Sequence, residues 1–231
     1  MNSVTFGNST IKYNVKRVTN RKTTQIFVDK LGVKVISPSN TTQKQIKDIV
    51  NKNSKWIYSK QLWANKQSDV KISFKQGTRI PYLGKNYLLK IKESKSESIT
   101  LTQGKFIIKV NKNTTKKVQE LFKKWLKLHA QRIIERKAVT FAKKIGVKYE
   151  KITIKDHKER WGSVSKNNSV NINLSVLCAP PKVIDYVVIH ELCHLKIPDH
   201  SSKYWNLLYK MMPEYETHKE WLSVNWKLLN F

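Results

Sequence analysis

A chain of 231 residues can bury one large hydrophobic core or two small ones. Lys and Arg number 45 against 16 acidic residues, a formal net charge of +29. No apolar run approaches the roughly 18 to 20 residues that cross a bilayer, and the first residues lack the apolar core of a secretory signal, so a membrane helix is excluded and a cytoplasmic protein is expected.

Cys178 and Cys193 are the only cysteines, which excludes a disulfide framework and fits a reducing compartment. The charge has two readings. One is an electrostatic footprint for nucleic acid, nucleotides or another polyanion. The other is a lysine-rich composition set by base bias, with the lysines simply solvated. Arginine is confined to Arg17, Arg21, Arg79, Arg132, Arg136 and Arg160, so bidentate readout of a specific base sequence is not supported.

In chain order, Ile26 and Val28 before Gly32, with Val33 and Val35 after it, predict a hairpin closed near Leu31-Gly32 and stopped by Pro38. Ile46, Ile49, Val50, Trp56, Ile57 and Leu62 then recur at helical spacing. They predict one basic amphipathic helix, with Asn40 or Thr41 as its cap. Residues 72–110 return to strands at "ISF", "RIPYLGKNYLLKIKE", "SITL" and "KFIIKV", punctuated by Gly77, Gly84 and Gly104. A long helix follows from Thr114 or Thr115, carrying Val118, Leu121, Phe122, Trp125, Leu126, Ile133 and Ile134 on one side and ending at Gly146. The expectation is an α+β protein: a sheet-rich region with one helix over residues 1–112, then a helical domain with a small sheet over 113–231. No internal repeat is visible, and His129 and His218 each stand without a second histidine at ligand spacing.

Three of the six histidines fall within "VVIHELCHLKIPDHSSKYW". On a helix His190 and His194, at i and i+4, aim at a common point. Zinc accepts such imidazole nitrogens, and a catalytic site keeps three protein ligands while leaving a fourth position to water. Glu191, directly after the first histidine, is placed to take a proton from that water. Pro180-Pro181 suits the start of this helix, and Val183, Ile184, Val187, Val188 and Leu192 suit its burial. Pro198 stops it, so that His200 can return over the metal, with Asp199 as an alternative ligand or a partner to an imidazole. Cys193 points off the shared histidine face and is expected to be a small buried hydrophobe.

Upstream, Val170, Ile172 and Leu174 alternate with polar residues and predict a strand beside the helix, a shelf for an extended peptide. Arg160, just before it, could hold a substrate carboxylate or phosphate, or pair with an internal acid.

With "ERWGSVS", "NINLSVLCAPPKVIDYVVIHELCHL" and "DHSSKYW", the chain resembles the YgjP-like metallopeptidase family, related to SprT-like and WLM zinc proteases. The earlier hairpin and "TRIPYLGKNYLLKI" resemble that family's N-terminal region. The resemblance implies a zincin-like arrangement, His190, His194 and His200 as ligands of one zinc ion, and Glu191 as general base. Val164 stands where the family often has cysteine, and Asp199 where it often has asparagine. The function expected is zinc-dependent hydrolysis of peptide bonds. Two alternatives stand beside it: a metal-dependent nucleotide or phosphoester hydrolase, and a non-catalytic zinc module that binds nucleic acid.

Overall fold

The computed structural model describes residues 2–7, 9–21, 23–29, 32–66, 72–157 and 160–229, without the side chains of 29, 62–66, 224 and 226–228. Its first two strands, β1 (Asn2–Phe6) and β2 (Ser9–Val18), pair antiparallel and were not expected. Their signal is the period of two along β2, where buried Ile11 and Tyr13 alternate with exposed Lys12 and Asn14. The expected hairpin is formed by β3 (Gln25–Asp29) and β4 (Gly32–Pro38), with Asp29 opposite Gly32; Leu31 lies outside the described residues. β4 runs parallel to β2, giving the order β1-β2-β4-β3.

The single helix expected next is two, α1 (Gln43–Lys52) and α2 (Ser54–Lys66). The break falls at Asn53, whose side-chain amide donates to the Ile49 carbonyl at 2.7 Å and so competes with helix continuation. The cap is Thr42 rather than Asn40 or Thr41. The Gln45 N–H donates to the Thr42 hydroxyl and the Thr42 N–H to the Gln45 side-chain oxygen, a reciprocal capping box. Ile46, Val50 and Ile57 bury against Val4, Ile11 and Tyr13, whereas Trp56 is exposed and the Leu62 side chain lies outside the described residues.

Residues 72–74 form no strand; Phe74 instead buries its ring 5.4 Å from that of Phe122. β5 (Arg79–Tyr82), β6 (Lys85–Glu93), β7 (Ser98–Thr102) and β8 (Lys105–Val110) then form a second sheet in the order β5-β6-β8-β7. Its neighbours are antiparallel, parallel and antiparallel, the same wiring as the first sheet. The sequence hides this repeat because the two copies keep the topology and not the residues.

α3 (Thr115–Ile145) is capped by the Thr114 hydroxyl and closed by Gly146 in the left-handed conformation. Val118, Phe122, Leu126, Ala130, Ile134, Ala138 and Ala142, four residues apart, form its buried stripe. After it, β9 (Ile152–Lys155), β10 (Gly162–Val164) and β11 (Val170–Asn173) make a small sheet in the order β10-β11-β9. A 3-10 turn (Leu174–Cys178) leads into α4 (Pro181–His194), α5 (Ser202–Met211) and α6 (Tyr215–Leu229).

The class is α+β, as expected. Compactness divides the chain into residues 1–69 and 70–231. The second sheet therefore groups with the helices after it, not with the region ending at residue 112. The reason is aromatic packing: Phe106 lies 5.3 Å from Phe122 and 5.2 Å from Trp125, and Tyr82 lies 5.2 Å from Trp125, so sheet and α3 share one core. Among the described residues no helix is long and apolar enough to cross a membrane.

Candidate metal centre

Apolar residues surround α4 on nearly every face, the pattern of a helix sunk in a core. Pro181 occupies its first turn, where a missing N–H costs nothing. The β5–β6 turn braces this start: the Leu83 N–H donates to the Leu177 carbonyl at 2.8 Å, and Gly84 lies against Pro180. On the other side Lys137 of α3 pairs with Asp185. His190, Glu191 and His194 are the polar interruptions near the helix's end.

Beyond His194 the chain tightens, with the Lys196 and Ile197 N–H groups both donating to the Cys193 carbonyl. Pro198 prevents continuation. Asp199 accepts from the Ser201 N–H at 3.2 Å, so its carboxylate organises the start of α5. His200 swings back between them. Its ring lies 5.2 Å from that of His190 and 4.6 Å from that of His194, and the two Nε2 atoms of His190 and His200 are 3.3 Å apart. One ring nitrogen from each of the three histidines lies within 4.8 Å of the others. The triad is thus positioned to bind a metal ion.

The surroundings settle which nitrogens face inward. A carbonyl oxygen only accepts, so His194 must donate from Nδ1 to Ile197, 3.2 Å away, which leaves its Nε2 lone pair free. The Tyr186 oxygen lies 3.5 Å from His190 Nδ1, turning the Nε2 of that ring towards His200. Tyr204 donates its hydroxyl to the His190 carbonyl at 3.1 Å and stacks on His194 with centroids 4.5 Å apart. Trp205 stacks on His200 at 5.3 Å. Burial, then the neighbouring imidazoles, holds His190 down to about 3, and burial also lowers His194 and His200. Neutral imidazoles are the form that donates a lone pair to a cation.

Glu191 is 5% exposed, and burial pushes its carboxyl up to about 8 against the opposing charge of Arg160. Arg160 itself is exposed, and its carbonyl, like that of His157, accepts from the fully buried Asn173 amide, at 2.8 and 2.7 Å. Cys193 is buried with its thiol pushed up to about 12, the small hydrophobe expected. β11, expected as a peptide shelf, is the central strand, paired on both sides; β10 and β9 are the edges, and β10 is the edge that lies against Glu191 of α4. His129 lies apart, stacked on Trp125, and His218 is half-buried with no partner for Nε2 among the described residues.

Tyr186, Tyr204, Gly162 and Asn173 were not singled out from sequence. Two had a signal. Tyr186 precedes His190 by one helical turn, and Tyr204 follows His200 at the same spacing.

The YgjP-like, metallopeptidase domain family matches residues 22–225. The chain belongs to that family. It is accordingly a peptidase, and membership implies a metal ion and a peptide or protein substrate. Among solved structures, the metallopeptidase zymogen of Pyrococcus abyssi abylysin is 25% identical, over 39% of this chain and 92% of that one, with a TM-score of 0.36. That of Methanocaldococcus jannaschii jannalysin is 23% identical, over 39% and 93%, with a TM-score of 0.36. No curated protein matches the sequence.

Proposed function

We propose that the chain is a zinc metallopeptidase in which His190, His194 and His200 hold the ion and Glu191 is the general base. The observation that carries this reading is the meeting of three imidazoles. Two nitrogens bound about 2.0–2.1 Å from a tetrahedral zinc lie about 3.3–3.4 Å apart, and His190 Nε2 and His200 Nε2 are separated by 3.3 Å. When bound, the ion supplies Lewis-acid polarisation of the scissile carbonyl and acidifies water.

Glu191 then takes a proton from the attacking water onto its carboxylate and passes it to the leaving amine. Burial strengthens that carboxylate as a base, and the charge of the ion, when bound, would keep it ionised near neutral pH. Tyr186 and the Ile197 carbonyl fix the orientation of two imidazoles, and Tyr204 ties α5 to α4 beneath them. An extended substrate fits the free edge of β10, where backbone groups hold it without regard to sequence. Arg160, whose charge reaches Glu191, would meet a substrate carboxylate or the developing oxyanion.

Glu191→Gln tests this: the metal should remain, and kcat on labelled casein should fall by about 100-fold or more. Full activity in that variant would remove Glu191 from the role. The net charge of +29 favours a second reading, an anionic substrate such as a nucleoside triphosphate or a nucleic-acid-bound protein. Parallel assays of casein and nucleoside triphosphates separate the two. Two buried free cysteines favour a reducing, cytoplasmic site of action.

A further inference from the structure

Six of the seven glycines have positive φ, a backbone conformation that explains glycine by itself. Gly162 is the exception. It sits within β10, where glycine weakens a strand and forgoes side-chain packing, so another cause is needed. That cause is Glu191. A Cβ built on Gly162 would lie 2.5 Å from Glu191 Oε1 and 2.6 Å from both its Cδ and Cγ, closer than non-bonded heavy atoms approach.

Neither backbone is free to retreat. Gly162 is registered opposite Ile172, which is fully buried, and Val164 opposite Val170, also fully buried. Before the strand, Asn173 grips the chain with its side chain on the carbonyls of His157 and Arg160, while its N–H donates to the Trp161 carbonyl at 2.7 Å. α4 is enclosed by core on its other faces. The softest response to a methyl at position 162 is therefore rotation of the Glu191 side chain.

We propose that Gly162 is a positioning residue: its absent side chain is the slot that keeps the Glu191 carboxyl between α4 and the edge strand. Its catalytic consequence rests on Glu191 being the base. In Gly162→Ala the fold and the metal ligands persist while the carboxyl is turned out of place. Metal content should match that of the wild type, and Tm should stay within about 4 °C. On labelled casein kcat should fall about 100-fold with KM changed by less than about threefold.

A merely structural glycine would give the same loss whatever stands at position 191. In a Glu191→Asp background, whose shorter side chain leaves room, adding Gly162→Ala should therefore cost less than about threefold further. Should Gly162→Ala fail to fold, Gly162→Ala/Glu191→Ala removes the opposing atoms and should recover wild-type folding; failure of that pair as well overturns the proposal. The decisive readout is a crystal structure of metal-loaded Gly162→Ala, which needs no turnover. A displaced Glu191 rotamer with unmoved imidazoles supports the slot, and Glu191 in its original rotamer overturns it. Glu191→Gln with full activity would instead refute the base assignment, leaving the contact to be judged by that crystal structure.

Discussion

The two four-stranded sheets share one wiring and differ in what their helices do next. After β4 the chain makes two short helices, broken where the Asn53 side chain takes the Ile49 carbonyl. After β8 it makes one helix of 31 residues whose buried stripe runs without interruption from Val118 to Ala142. The first sheet keeps a core of its own, from Val4 to Ile57, whereas the second shares its core with α3 and α4. Topology alone thus does not assign a sheet to a site. The side chains on its covered face do.

The largest expected effect separates the two cores. Phe106→Ala and Tyr13→Ala each remove a buried ring, at about 3–5 kcal/mol. Only Phe106→Ala should also weaken metal retention, measured by chelator competition; equal weakening by Tyr13→Ala would break the distinction.

Acid should come next, acting through the metal-free centre. His190 is held to about 3 from an ordinary 6.5, so below pH 6.5 the unfolded chain binds its proton first and stability is lost as pH falls towards 3. His194 and His200 are lowered as well and act in the same direction. Glu191 has the opposite sign: raised from 4.5 to about 8, it makes the folded state bind the extra proton, so its contribution is lost as pH rises through 8. Stability of the metal-free protein should therefore fall as pH rises from 6.5 to 8, where Glu191 acts alone, change less between pH 6.5 and 4.5, where Glu191 offsets His190, and fall again towards pH 4. Hydrogen exchange at that pH should loosen α4 before β2 and β4. Simultaneous loosening would contradict a local cause.

The matching hairpin turns offer a finer pair. Gly7 and Gly84 both have positive φ, at 55° and 77°, but an added Cβ meets open space at Gly7 and the Pro180 Cα at 3.0 Å at Gly84. Gly7→Ala should cost about 1 kcal/mol from backbone strain and Gly84→Ala about 1–3 kcal/mol, since the start of α4 must also shift. Equal losses in denaturant titration would mean that the second turn does not brace the helix. The smallest effect is that of Lys137→Ala, about 1 kcal/mol or less, because its pair with Asp185 remains partly exposed.

The histidine cluster was legible in the sequence because its members are close in the chain and obey helical spacing. His190 and His194 needed only i and i+4, and Pro198 announced the turn that returns His200. α3 was legible at both ends through Thr114 and Gly146. What escaped is one local competition for a backbone carbonyl and two features set by contacts distant in sequence. Asn53 breaks its helix through one side-chain hydrogen bond, and the pairing that leaves β10 rather than β11 at the edge is a property of the sheet. The slot at Gly162 is visible only once β10 lies against α4.

The most direct test of the central claim is metal analysis of the purified protein beside His194→Ala. The account predicts about one equivalent of zinc in the wild type and less than about a tenth of that in the variant, since two remaining imidazoles cannot complete the site. Undiminished zinc in His194→Ala, or none taken up by the folded wild type when zinc is supplied, would contradict it.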